Sequence, residues 1–353
     1  RGAARTAPPH GADRLPGRAD RTGHRRPGVE DRMNILLWHV HGSWTTAFVQ
    51  GPHTYLVPVL PGRGPDGLGR ARTWTWPDSV LERTPEQLRD EPVDLVVLQR
   101  PHEADLAERW LGGRRPGRDV PAVYLEHNAP GGEVPHTRHP AADRDGLTLV
   151  HVTHFNRLFW DNGSTRTAVI EHGIVDPGHL YTGEVGRAAV VVNEPVRRGR
   201  TTGTDLLPHL SAAAPLDVFG MRTEGLAGHL GLDEDRCRAQ DLPQNELHTA
   251  MARRRLYLHP IRWTSLGLSL LEAMHLGMPV VALATTEAVE AVPAGAGVIS
   301  TRPDELARAA RAYLNDPAAA AEDGARARTA ALERYGLKRF LSDWEHLIEE
   351  VTR

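Results

Sequence analysis

TSLGLSLLEAMHLGMPVVA, residues 264–282, sets one carboxylate, Glu272, inside a run of Leu, Met, Ala, Val and Gly. Apolar residues at 266, 268, 270, 271, 273, 274 and 276 leave no polar stripe wide enough for a surface helix, so the segment reads as a helix buried on most sides. Gly277 supplies a left-handed stop, and Pro279 then opens a buried strand. At about 100° per residue, Glu272 shares a face with Leu268, Ser269, His275 and Leu276. An ionised carboxylate there costs on the order of several kcal/mol unless paired, so donors must lie within reach: an arginine of the fold, or ligand hydroxyls at a cleft. The TSLG before the helix is a small, polar, Gly-containing entry whose free backbone N–H groups suit a phosphate or a sugar.

Working outward, short apolar runs without polar alternation recur along the chain: NILLW (34–38), HTYLVPV (53–59), VDLVVLQ (93–99), PAVYLEH (121–127), LTLVHVT (147–153) and TAVIEHG (167–173). A second series follows: AAVVVN (188–193), LDVFG (216–220), RLYLHP (255–260), PVVAL (279–283) and AGVIS (296–300). Such runs fit strands buried on both faces, and helical stretches between them, such as HEADLAERWLG, argue for parallel, doubly wound sheets. TTAFVQG leaves room for only about two helical turns between the first two runs. The two series meet at DPGHLYTGEVG (176–186), a Pro- and Gly-containing loop suited to a hinge. The expectation is therefore an α/β protein of two Rossmann-like domains facing each other across a cleft. PDELARAARAYLND and LKRFLSDWEHLIEEV close the chain as helices; Phe340, Leu341, Trp344, Leu347 and Ile348 share one face of the last, a docking helix.

A length of 353 residues also favours two domains over one. The first 32 residues hold eight Arg, four acids and only Leu15 and Val29 as large aliphatics, so they read as a disordered extension. The remainder carries 34 basic against 41 acidic residues, a net of −7, which argues against nucleic acid as the main partner. No apolar run approaches 18 residues, so no membrane span is expected; the expected compartment is the cytoplasm, with peripheral membrane contact left open. One cysteine, Cys237, rules out an internal disulfide, and with a single lysine, Lys338, any anion held by a cationic side chain falls to arginine. Neither half contains the Gly-rich loop of a dinucleotide site or of a P-loop, so nicotinamide and NTPase chemistry lose their main support.

The segment 265–282 resembles the signature of the retaining GT-B glycosyltransferases of family 4, in which a loop like E-G-F-G leads into L-x-L-L-E-A-M, a Gly, then P-V-V-A. PAVYLEHNAP is similar to the family strand ending in a His that lines the donor-sugar pocket, here His127. AVIEHGIVDP resembles the V-I-P-N-G-V-D turn, with Gly173 and Asp176 matching, and RARTAALERYGLKRFLSDW resembles the helices that cross back to the first domain. The resemblance covers about residues 33–353 and implies a GT-B fold, with the acceptor bound mainly by residues 33–184 together with the C-terminal helix 337–353. The nucleotide-sugar donor falls to residues 185–336.

It implies further that Glu272, the second Glu of the family's E-x7-E pair, holds the nucleotide ribose. The first Glu is replaced by Thr264, leaving contacts there to a hydroxyl and to the backbone of Ser265, Leu266, Gly267 and Leu268. Arg197, Arg198 and Arg200 stand where the family grips the diphosphate, and arginine can do so bidentately. In WHVHGSWTTAF (38–48), Gly42 and Ser43 offer backbone approach to the donor, while His39, His41 and Trp44 face the acceptor. A metal site at His39 and His41 lacks a third ligand, and no metal is expected. RAQDLPQNEL (238–247) sits where such folds wrap the nucleobase. No cofactor is required beyond the nucleotide-diphosphate sugar, and the partner is an acceptor hydroxyl. Three rivals stand beside this retaining glycosyltransferase: a GT-B epimerase or phosphorylase, a catalytically silent nucleotide-sugar binder suggested by Thr264, and a dinucleotide oxidoreductase.

Overall fold

The computed structural model describes residues 32–353; the extension read over residues 1–32 lies outside them apart from Arg32. Two all-parallel sheets organise the chain. The first runs β3-β2-β1-β4-β5-β6-β7, from β1 (Asn34–Leu37), β2 (Thr54–Pro58), β3 (Val80–Arg83), β4 (Leu95–Leu98), β5 (Ala122–Glu126), β6 (Leu147–His151) and β7 (Arg166–Val169). The second runs β10-β9-β8-β11-β12-β13, from β8 (Val185–Val191), β9 (Leu216–Phe219), β10 (Cys237–Gln240), β11 (Arg254–His259), β12 (Val280–Leu283) and β13 (Gly297–Ser300). These are the two Rossmann-like domains expected.

Burial on both faces explains the unbroken apolar runs. In β1, Ile35 and Leu37 enter one core with Trp44, Phe48 and Val97, while Leu36, with Trp38 just past the strand, enters another with Leu56, Val96 and Leu98. In β11, Tyr257 packs on the Glu272 side and Leu256 and Leu258 on the other. The apolar-run reading missed β3 and β10. Both are edge strands, paired on one side only and partly exposed, so VLER and CRAQ lack the fully apolar pattern of a central strand such as LVVL.

The order of each sheet positions the site. In the first, the chain builds outward from β1 to β3 and then returns to place β4 on the other side of β1; in the second, β8 and β11 stand in the same relation. At such a switch point the loops leaving neighbouring strands diverge, opening a crevice beyond the carboxyl ends of the strands. Residues 38–43 and 99–103 flank the first crevice, and residues 192–203 and 260–267 the second.

The chain ends in Pro317–Tyr335 and Leu337–Thr352. The last helix returns to the first domain, where Phe340, Trp344, Leu347 and Ile348 join the core of Trp44 and Phe48. Gly173 permits this crossing: a Cβ there would lie 2.3 Å from the Cβ of Phe340. Ion pairs fix the same junction, with Arg334 Nη2 2.5 Å from Glu171 and Arg328 Nη2 2.7 Å from Asp176. Among the described residues, no helix is long and apolar enough to cross a membrane.

Candidate functional site

Glu272 lies in the helix Leu268–Leu276, whose Leu270, Leu271, Ala273, Met274 and Leu276 are all fully buried. Gly277, in the left-handed conformation, ends it. With five neighbours locked in the core, the helix has no freedom to swing its one carboxylate into water. Glu272 is itself 5% exposed, and no arginine pairs with it among the described residues. Its Oε1 accepts a hydrogen bond from Ser43 Oγ of the first domain at 2.6 Å. Its Oε2 has Gln244 Nε2 and His248 Nε2 at 3.5 Å, and these two touch each other at 2.7 Å. The donors are thus a hydroxyl, an amide and an imidazole.

Further contacts cross between the domains beside this one. Ser265 and Thr153 hydroxyls lie 3.3 Å apart, Phe155 N donates to Glu287 Oε2 at 2.8 Å, and Trp263 Nε1 donates to Pro130 O at 2.8 Å. Leu268 packs against the cores of both domains. No side chain caps the N-terminus of its helix, where Gly267 is backed by the His259 ring, so the first N–H groups remain for another acceptor. Thr264 is half-buried at the same entry, whereas Leu266, 5% exposed, belongs to the core: its backbone alone can face a ligand.

The three arginines do not form one free cationic cluster. Arg197, on the short helix Pro195–Arg198, pairs with Glu194, which also takes Arg222 at 2.6 Å. Arg200 is 2.9 Å from Asp205, which also binds Arg262. Arg198 is half-buried and, among the described residues, without an ion pair.

On the first domain, Gly42 and Ser43 open the helix Gly42–Phe48, with the Trp74 indole packed against Gly42. Trp44 corrects the sequence reading. It is fully buried against Phe48, Trp344 and His127 and so belongs to the core rather than facing an acceptor. His39 meets Gly69 O at 3.1 Å and lies tilted against the Trp76 ring at 4.7 Å, and burial lowers its pKa.

His127, just past β5, lies 3.9 Å centroid to centroid from His41 and 6.2 Å from His172. Burial drives His41 down to about 4 and His172 to about 3, with Arg100 adding to the first effect and His41 and Arg339 to the second. His127 falls well below the usual histidine value, first through burial and then through its two imidazole neighbours. Burial thus keeps the three rings neutral near pH 7, and the cluster carries no positive charge there. Among the described residues, no group of three His, Cys, Asp or Glu side chains is arranged to hold a metal.

The family model described as glycosyl transferases group 1 matches residues 216–332, the stretch that carries Glu272 and its entry loop. The second domain is a group 1 glycosyltransferase domain. Solved structures of the same GT-B fold accompany it. Sucrose-phosphate synthase from Thermosynechococcus elongatus is 15% identical over 90% of this chain and 99% of that one, with a TM-score of 0.66. Anabaena Alr3699/HepE in complex with UDP-glucose is 17% identical over 90% of this chain and 100% of that one, with a TM-score of 0.65. TarM from S. aureus is 14% identical with a TM-score of 0.56; the match takes in 72% of this chain and 55% of TarM, so the chain spans about half of that protein. No curated protein matches the chain in sequence. Within the group 1 domain, Gln244 and His248 are the residues that sequence reasoning missed as partners of Glu272. Gln244 sits inside the quoted stretch 238–247, but nothing there points to a carboxylate 28 residues on.

Proposed function

We propose that the protein is a retaining glycosyltransferase of the family 4 type that moves a sugar from a nucleotide-diphosphate sugar to an acceptor hydroxyl. One observation carries the proposal: a nearly buried carboxylate, Glu272, at the mouth of the cleft, hydrogen-bonded to a hydroxyl from the opposite domain rather than to a cation. A carboxylate so placed suits a ribose diol, and the Ser43 hydroxyl marks where one ribose oxygen would bind. On this reading donor binding exchanges the Ser43 contact for the nucleotide. Arg198, together with Arg197 and Arg200 once released from their carboxylates, and the N–H groups of Ser265, Gly267 and Leu268 stabilise the diphosphate as the sugar C1–O bond breaks. The acceptor oxygen forms its bond to C1 on the same face, and its proton passes to a diphosphate oxygen. His127 receives the sugar. UDP sugars are the first donors to try, because Alr3699/HepE is complexed with UDP-glucose. A soluble donor of this kind fits a cytoplasmic site.

Thermal shift against UDP, GDP, ADP and TDP sugars tests the proposal, because ligand at about 100 times its Kd adds roughly 2.7 kcal/mol of stability. Silence towards every nucleotide overturns it. Retention is tested on the product: an α donor must give an α linkage by NMR, and a β linkage removes that part of the assignment.

A further inference from the structure

Gln99, the first residue after β4, is held at three points. Its backbone N–H donates to the fully buried Glu103 carboxylate at 2.6 Å, its carbonyl accepts from Tyr124 Oη at 3.4 Å, and its side-chain Nε2 donates to Trp38 O at 2.8 Å. The last contact settles which way the amide faces. A carbonyl oxygen only accepts, so the NH2 end must point at Trp38 and the Oε1 end must point away from it. Oε1 lies 3.1 Å from His127 Nε2. An amide oxygen only accepts, so the proton of the neutral His127 ring must sit on Nε2, and Nδ1 is left with a lone pair. His127 Nδ1 makes no hydrogen bond among the described residues, and it is not one of the side-chain atoms sealed from solvent without a partner. His172 Nδ1 is so sealed.

We propose that Gln99 is a positioning residue: through its Trp38-anchored amide it locks His127 in the Nε2–H tautomer, so that the ring offers the cleft a hydrogen-bond acceptor. The inference rests on the glycosyltransferase reading only in naming what meets that nitrogen. The partner must be a donor, which a sugar hydroxyl is and a phosphate oxygen or a carboxylate is not. The neutral state of the neighbouring rings keeps the arrangement from being rewritten by charge: a cationic imidazole at His41 would sit 3.9 Å away, and burial holds it neutral at neutral pH. Gln99 itself needs no contact with substrate.

Nitrogen-15 NMR of the ligand-free, full-length protein labelled at histidine reads the tautomer directly. The His127 signal is identified by its loss in His127→Asn or, should that variant not fold, by its proximity to the Trp44 ring. The expected result is a protonated Nε2 and a pyridine-type Nδ1, at ten to one or better. A protonated Nδ1 in the wild-type protein overturns the proposal, with no variant needed. In Gln99→Leu the lock is gone, and the signal should move towards Nδ1–H, which water can satisfy. An unchanged tautomer in a folded Leu variant also overturns the assignment. The measurement uses no nucleotide, so silence in the thermal-shift panel would remove the glycosyl reading and leave this result standing.

Discussion

Two parts of the second domain are expected to hold the two ends of a nucleotide diphosphate, and they are built in opposite ways. Glu272 stands on a helix buried in the core, and its partners are a hydroxyl, an amide and an imidazole rather than a guanidinium. Arg197 and Arg200 stand on an exposed turn, each already answered by a carboxylate, Glu194 and Asp205. The first arrangement is held by core packing and, under the proposed function, receives hydroxyls. The second is flexible in composition and self-neutralised, so a phosphate must compete for it. Exposed ion pairs hold such side chains by only about 0–1 kcal/mol, a small barrier for a diphosphate to overcome.

If the rigid half is where donor affinity resides, Glu272→Ala should weaken nucleotide binding at least about 100-fold, since two hydrogen bonds to a charged group are worth about 1.5–3 kcal/mol each and every 1.4 kcal/mol is tenfold. Isothermal titration with the nucleotide diphosphate found in the thermal-shift panel measures it. Glu272→Gln, which keeps one acceptor, should fall between the two. Unchanged affinity in a folded Glu272→Ala protein would make the carboxylate a structural link to Ser43 and remove the contrast.

Buried neutral imidazoles stand in both domains, His259 behind the preformed half and His172 beside His127, and acid should attack the fold there. His259, backing Gly267, has its pKa lowered to about 4 by burial, and His172 lies at about 3. In the unfolded chain both return to about 6.5. Below that pH the unfolded state takes up protons that the folded state refuses, so stability falls as pH drops from about 6.5 towards 4, by up to about 1.4 kcal/mol per pH unit for each group. Urea denaturation at pH 7, 6 and 5 should show the loss, and His172→Gln should reduce its slope. A flat profile would mean that the rings are solvated in the native state.

The same contrast explains what the sequence could disclose. A charge inside an apolar run is visible from periodicity alone, and so are strands buried on both faces, because core packing writes a local pattern. Ser43 as the partner of Glu272 was not visible: the two are 229 residues apart, and only the facing of two domains joins them. Arg197, Arg198 and Arg200 looked alike in sequence because an arginine's ion pair depends on which carboxylate the loop folds against; Arg200 and Asp205 meet across a 3-10 turn that no propensity specifies. Trp44 was misplaced because a Trp at the start of a helix serves a sugar or a core equally well. What decided it was the returning helix with Trp344, about 300 residues later.

Among the arginines, Arg198 is the one to separate. Among the described residues it has no carboxylate to leave, so Arg198→Ala should lower kcat/KM for the donor about 10-fold, as expected for one charge-assisted contact. Arg197→Ala and Arg200→Ala should cost less, about 3-fold each, because leaving Glu194 or Asp205 offsets part of what each gains on the diphosphate. Equal losses at all three positions would show that leaving the carboxylates costs Arg197 and Arg200 nothing.

The smallest effect runs the other way. Glu194 accepts from Arg197 and Arg222 at once. Glu194→Gln would leave both guanidinium groups charged with no countercharge, next to the turn that follows β8. If self-neutralisation is what weakens this half, donor affinity should rise by about 2- to 4-fold at low ionic strength, and the gain should fade as salt approaches about 0.15 M, where screening acts over roughly 8 Å. Titrations of the nucleotide diphosphate at two salt concentrations decide it. A loss of affinity in place of a gain would mean that Glu194 positions the loop rather than restraining its charge. The residue's left-handed backbone, φ 54°, makes that the competing role, because the same conformation starts the helix that carries Arg197 and Arg198.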